Sequence, residues 1–215
     1  MTRRWAFVTV GLAAGFSGLA VILTILSGLP LALFEGALVL VPAGVSIAIV
    51  RRAPVSVRRE VGRIVRAGLA VGFVATVMYD ATRVLLSYVD PSAFDPFGAA
   101  RAFGYGMLGD TAPIALVLVA GFGVHFVNGI SFAVIYAVFA GRHARTLRVA
   151  LLAGIAWGMT LELVQVSLYP GWLQITTLFK EFILISGVGH LVYGTTLGLG
   201  MSRLLFPHSE GEGQK

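Results

Sequence analysis

Six long apolar runs, near residues 5–27, 31–50, 64–88, 113–140, 147–169 and 182–205, dominate this chain of 215 residues. A helix that crosses the hydrocarbon core of a bilayer needs about 20 predominantly apolar residues. Backbone amides find no water there, so each run must satisfy its own hydrogen bonds by winding into a helix. The chain is 57% hydrophobic and only 12% charged, whereas a soluble domain carries about 25% charged residues. Too few charges remain to cover a water-facing surface. The expectation is an all-α polytopic membrane protein with six transmembrane helices in a lipid bilayer. The 27 glycines fit that reading, because glycine lets membrane helices approach closely.

The formal charge of +6 is topological rather than a sign of nucleic-acid binding. Threading six helices puts Arg3, Arg4, Arg51, Arg52, Arg58, Arg59, Arg63, Arg66, Arg142, Arg145, Arg148 and Arg203 on one side. Arg101 and Lys180 fall on the other, with Asp90, Asp95, Asp110 and Glu181. The positive-inside rule then places both termini in the cytoplasm of a cell whose inner membrane holds the chain. The basic stretch 51–66 is suited to hold anionic lipid. Arg3 and Arg4 before an apolar run resemble a signal peptide, but the run is longer than an h-region and no A-x-A site follows, which favours a retained first helix. With no cysteine in the chain, thiolate chemistry is excluded within it.

One pattern occurs twice inside these apolar runs. Arg66, Gly72, Asp80 and Arg83 share their spacing with Arg148, Gly154, Glu162 and Gln165. Each set is followed by an apolar run with a histidine and a glycine four residues on, His125 with Gly129 and His190 with Gly194. Two helices per copy preserve orientation, so the expectation is a parallel internal repeat: helices three to six as a pseudo-twofold four-helix bundle over 53–206. Residues 1–52 then form a two-helix addition, and 207–215 a polar disordered tail. The connection 90–112, with Phe94, Phe97, Phe103 and Tyr105, reads as a segment lying at the interface or covering the mouth of the bundle.

Depth can be reckoned at 1.5 Å per helical residue. Asp80 and Glu162 each lie about 21 Å from the arginines that mark the basic side, His190 roughly 20 Å, His125 roughly 25 Å and Glu35 about 24 Å. Asp80, His125, Glu162 and His190 thus share one layer. Ionisable groups are expensive in that environment and ask for a reason. Two carboxylates and two imidazoles can ligate a transition metal such as zinc, iron or manganese. Carboxyl and imidazole groups in apolar surroundings favour their neutral forms and can pass a proton on. Two histidines can also be axial ligands of haem b, with Gly121, Gly123, Gly187 and Gly189 making room for the ring.

Plainer roles stand beside these. Asp80 and Arg83 are at i, i+3 and can neutralise each other. His125 and His190 can serve as hydrogen-bonding glue between helices, as can Asn128, Gln165 and Tyr193. Glu35 near the outer end of helix two reads as wetted, and His143 and His208 as solvated. The glycine pairs 68/72, 154/158 and 194/198 are packing seams rather than nucleotide loops. No convincing nucleophile–base pair occurs, so enzymatic activity is left open.

The strings Gly123-Val-His-Phe-Val-Asn-Gly-Ile-Ser-Phe132, Gly189-His-Leu-Val-Tyr-Gly-Thr-Thr-Leu-Gly198 and Ala75-Thr-Val-Met-Tyr-Asp80 resemble a loose group of small bacterial inner-membrane proteins of unknown function. That group has four helices, an AT-x-x-MD-like motif in the first, and histidines followed by glycine in the second and fourth. The likeness spans about residues 66–204 and carries over Asp80, His125 and His190 as motif positions. Tyr79 stands where the motif has methionine. The resemblance implies a four-helix inner-membrane bundle and no particular activity.

The leading functional expectation is proton or cation handling, as transport, through Asp80, His125, Glu162 and His190, with Glu35, Arg83, Asn128, Gln165 and Tyr193 in support. The alternatives are a membrane metalloprotein or haem-b electron carrier, and a structural or assembly subunit of a membrane complex. A homo-oligomer or a partner subunit is compatible with either.

Overall fold

The computed structural model describes residues 2–89, 95–172 and 179–206. The expected tail 207–215, with His208, lies outside them, as do Asp90, Phe94 and residues 173–178 of the second outer connection. Among the described residues the chain is helical throughout: α1 (Arg3–Ser27), α2 (Leu31–Glu35), α3 (Val41–Arg51), α4 (Val55–Val89), α5 (Gly98–Leu108), α6 (Ile114–Phe139), α7 (Leu147–Trp172) and α8 (Gly187–Leu205). Six helical spans are long and apolar enough to cross a membrane, with Leu31–Arg51 counting as one. The expectation of an all-α chain with six membrane-length helices is met.

Local chemistry sets the helix ends. α1 stops at Gly28, whose φ of 70° is left-handed and whose N–H bonds back to the Thr24 carbonyl at 2.9 Å. Glycine takes that conformation without a Cβ penalty. Pro30 and Pro113 each stand immediately before a helix, where a missing N–H costs nothing. Pro42 falls inside the second span. Its ring conflicts with the carbonyl four residues back, and there the helix widens into a π turn over Gly36–Leu40. A second π-helical stretch, Phe179–Ser186, leads directly into α8.

The structure adds two features. α4 begins at Val55, ahead of the apolar run near 64–88, so Arg58, Arg59 and Arg63 ride on its first turns. The outer connection holds a helix, α5, set tightly on α6. The two backbones meet where Gly104 faces the Val117 carbonyl and Gly121 faces that of Ala100.

Glycine seams set the packing of the long helices. Gly72 meets Ala133 and Gly129 meets Thr76 where α4 crosses α6. Gly154 meets Gly198 and Gly158 meets Gly194 where α7 crosses α8. A Cβ on the α7–α8 seam would meet the backbone of the facing helix, and one at Gly72 or Gly129 the side chain of Ala133 or Thr76, which is the reason small residues drive association in lipid. α1 rests on α6, with Gly11 and Gly18 receiving the rings of Phe139 and Phe132. Its Ala6 and Phe7 join the same buried cluster as residues of α4, α6 and α8. Large apolar side chains such as Leu40, Val119 and Leu163 point outward, which suits hydrocarbon and not water.

Candidate functional site

The four layer residues meet as two carboxylate–imidazole pairs. His125 Nε2 on α6 is 3.0 Å from Asp80 Oδ1 on α4. His190 Nδ1 on α8 is 2.8 Å from Glu162 Oε2 on α7. The first pair is about one-fifth exposed, and the second is more deeply enclosed. Both helices of each pair are held together by the glycine seams described above, so sequence spacing along the helices and close backbone approach together bring acid and base into contact.

Tyr79 stands between the pairs. Its ring centroid is 4.8 Å from that of His190 and 5.8 Å from that of His125. Its ring fits there because Gly189 has no side chain: a Cβ at that position would lie 2.9 Å from the ring carbons. Arg83, one turn along α4, lays its guanidinium 5.1 Å from the same ring, a cation–π contact.

Ser186, the last residue of the π-helical stretch, ties the network together. Its hydroxyl donates to Glu162 Oε2 at 2.9 Å. A serine hydroxyl has a single hydrogen, so Ser186 Oγ accepts from Gln165 Nε2 at 3.1 Å and from the Tyr79 hydroxyl at 3.2 Å. His190 Nδ1 also lies 3.1 Å from the Ser186 carbonyl oxygen. That carbonyl can only accept, so Nδ1 carries a hydrogen and Nε2 is the nitrogen left to exchange one. Glu162 Oε1 is buried and has no hydrogen-bond partner among the described residues.

A cavity of about 70 Å³ opens against this network, lined among others by His125, His190, Tyr79, Gln165, Asn128 and Tyr193. Asp80 and Glu162 stand one bond behind their histidines. Phe103 of α5 also lines the cavity and stacks on Tyr169 and Trp172 of α7, so α5 covers that end of the site. Asn128 Oδ1 accepts a 2.6 Å bond from Ser17 of α1, and the Tyr193 hydroxyl donates to the Gly129 carbonyl at 2.6 Å.

Several expectations are corrected. Asp80 takes His125 as its ion-pair partner and not its neighbour Arg83. Glu35 is buried rather than wetted, with Oε1 lacking a hydrogen-bond partner among the described residues, and it does not join the cavity lining. The four layer residues do not form one ligand set. Each pair offers two donors already bonded to each other, and no cluster of three or more His, Asp or Glu is present among the described residues, whereas zinc sites use three or four protein ligands. Of the places considered for a haem ring, the room at Gly189 is filled by Tyr79 and that at Gly121 by the Ala100 backbone.

Tyr79, Ser186 and Ser17 were not among the residues singled out as a site. Hydroxyl residues are common on membrane helices, and the only sequence mark on any of them is that Tyr79 replaces a methionine in the motif. Compared with protein-family models, curated proteins and solved structures, the chain matches none.

Proposed function

We propose that this protein passes protons across the apolar layer of a bacterial inner membrane, using the two carboxylate–imidazole pairs as exchange stations and Tyr79 with Ser186 as the link between them. The observation that carries the reading is a hydrogen-bonded run of exchangeable groups within the layer, from Glu162 through Ser186 to Tyr79. Glu162 accepts from Ser186, Ser186 accepts from Tyr79, and the Tyr79 ring contacts both histidines. The adjoining cavity has room for a water and the polar partners that a bridging water needs. Such water would close the remaining gap between Tyr79 and the Asp80–His125 pair. Chains of ionisable side chains inside a membrane are characteristic of proton relays.

The pairs differ in a useful way. Asp80–His125 is the more open and serves as the loading station. Glu162–His190 is enclosed by Ser186, Gln165 and Tyr79 and serves as the gated one. A proton arriving at His190 Nε2 leaves Nδ1–H bonded to Glu162, so the imidazolium is balanced by the carboxylate and no net charge is stranded in a low dielectric.

The same reading takes helices three to six as a duplicated, parallel unit. Its support is that the contacts match in register as well as the residues: Asp80–His125 with Glu162–His190, Gly72–Ala133 with Gly154–Gly198, and Gly129–Thr76 with Gly194–Gly158. Following the positive-inside rule, the arginine-rich end and both termini face the cytoplasm.

The test is valinomycin-driven proton uptake into proteoliposomes carrying a trapped pH dye. Wild-type protein gives uptake above empty vesicles, and Glu162→Gln abolishes it. No uptake by wild-type protein, with Glu162→Gln merely less stable, would leave the pairs as interhelical bonds of a structural subunit. That second reading has its own support, since each pair joins two different helices.

A further inference from the structure

A second polar cavity, separate from the layer site, lies at the arginine-rich end. Its volume is about 450 Å³, and Arg3, Arg4, Arg63, Arg142 and Arg145 line it together with Glu60. These side chains come from the start of α1, the first turns of α4 and the turn between α6 and α7. Phe7, Ile64 and Leu205 give it an apolar wall. Five guanidinium groups face a single carboxylate, and like charges held together are unfavourable unless an anion joins them.

Three of the arginines are already engaged inside the protein. Arg3 forks onto Glu60, with Nε 2.7 Å from Oε2. Arg63 donates to the Leu205 carbonyl at 3.1 Å. Arg142 stacks on the Phe7 ring at 4.1 Å and donates to His143 Nε2 at 2.9 Å. These contacts fix the frame. Arg4 and Arg145 line the same cavity with no side-chain hydrogen bond or ion pair among the described residues. Two unengaged guanidiniums on a preformed cationic frame are suited to grip a phosphate through paired N–H donors.

We propose that this cavity binds the phosphate of an anionic phospholipid headgroup, with the acyl chains running along the apolar wall. Basic pockets between helices on the cytoplasmic side are a known setting for such headgroups, and the amphipathic lining suits a lipid better than a free ion. The bound lipid bridges α1, α4 and the α6–α7 turn and so clamps the inner end of the bundle.

The test is thermal unfolding of the purified full chain in a neutral detergent, titrated separately with phosphatidylglycerol, phosphatidylcholine and inorganic phosphate. Phosphatidylglycerol is expected to raise the melting temperature of wild type and of an Arg148→Gln/Arg203→Gln control, whose arginines lie outside the cavity. The Arg4→Gln/Arg145→Gln variant should need at least about tenfold more of that lipid for the same shift. If the double variant is not recovered, Arg145→Gln alone should show a smaller loss in the same direction. An equal response to phosphatidylcholine, or an equal loss in the control, overturns the proposal. A full response to inorganic phosphate alone also overturns it, and assigns the cavity to a soluble phosphate compound.

Discussion

The hydroxyl of Tyr79 reaches across from α4 to Ser186, 3.2 Å away at the entrance to α8. This bond ties α4 into the hydrogen-bonded network around Glu162 and His190. Ser186 spends its only hydrogen on Glu162, so Tyr79 must supply the one between them. A proton on Tyr79 is thereby placed two bonds from a buried carboxylate, while the Tyr79 ring lies against the histidine of each pair.

Tyr79→Phe should separate function from stability. The ring and its fit against Gly189 are retained and one interhelical hydrogen bond is lost, worth about 0.6 kcal/mol in a membrane. Thermal unfolding should therefore change little. Proton uptake should fall at least about tenfold, because a relay group is gone. Unchanged uptake would remove Tyr79 from the path.

Glu162→Gln and Asp80→Asn should behave differently. Glu162 sits in the more enclosed pair, where Ser186 and His190 both depend on it. Its loss should abolish uptake. Asp80 is more open, so Asp80→Asn should slow uptake and leave a measurable remainder. Equal effects at the two positions would argue that the pairs are equivalent stations.

The Asp80–His125 and Glu162–His190 contacts should each appear as a coupling in double-mutant cycles of unfolding. The expected size is about 0.6 to 1.7 kcal/mol, the range found for polar contacts between membrane helices. Asp80 with His190 should show a much smaller coupling, as those residues share no direct contact. A large value there would mean that the pairs exchange partners.

Gly158→Leu should be among the most damaging single substitutions in α7. The glycine lies against the His190 carbonyl and Gly194, so a side chain there must push α8 away and carry His190 off Glu162. Folding yield and uptake should both collapse. Gly123→Leu is the matched control, because that position opens onto free space, and the variant should be recovered at wild-type level.

The matched spacing of the two polar sets was readable because it lies along single helices. A residue 14 positions along a helix from a boundary arginine lies about 21 Å from it whatever surrounds it, so the layer of Asp80, Glu162, His125 and His190 needed only 1.5 Å per residue to find. Gln165, Asn128 and Tyr193 were legible for the same reason, each standing about one turn from a layer residue. What the spacing leaves open is rotation about the helix axis. That is why the Asp80–Arg83 pairing was a reasonable expectation and His125 is the partner found.

Composition and run length alone determined that this chain is helical and suited to a membrane, because a backbone without water has so few ways to satisfy itself. Only the tertiary structure decided which ionisable groups touch. It split four candidate ligands into two pairs, filled the space considered for a haem with the Tyr79 ring, and buried Glu35 away from them all. The physical reason is that contacts between helices depend on which small residues let backbones approach. Gly189 admits Tyr79, and Gly158 brings α8 close enough for His190 to meet Glu162. Neither effect is visible until the helices are set against one another.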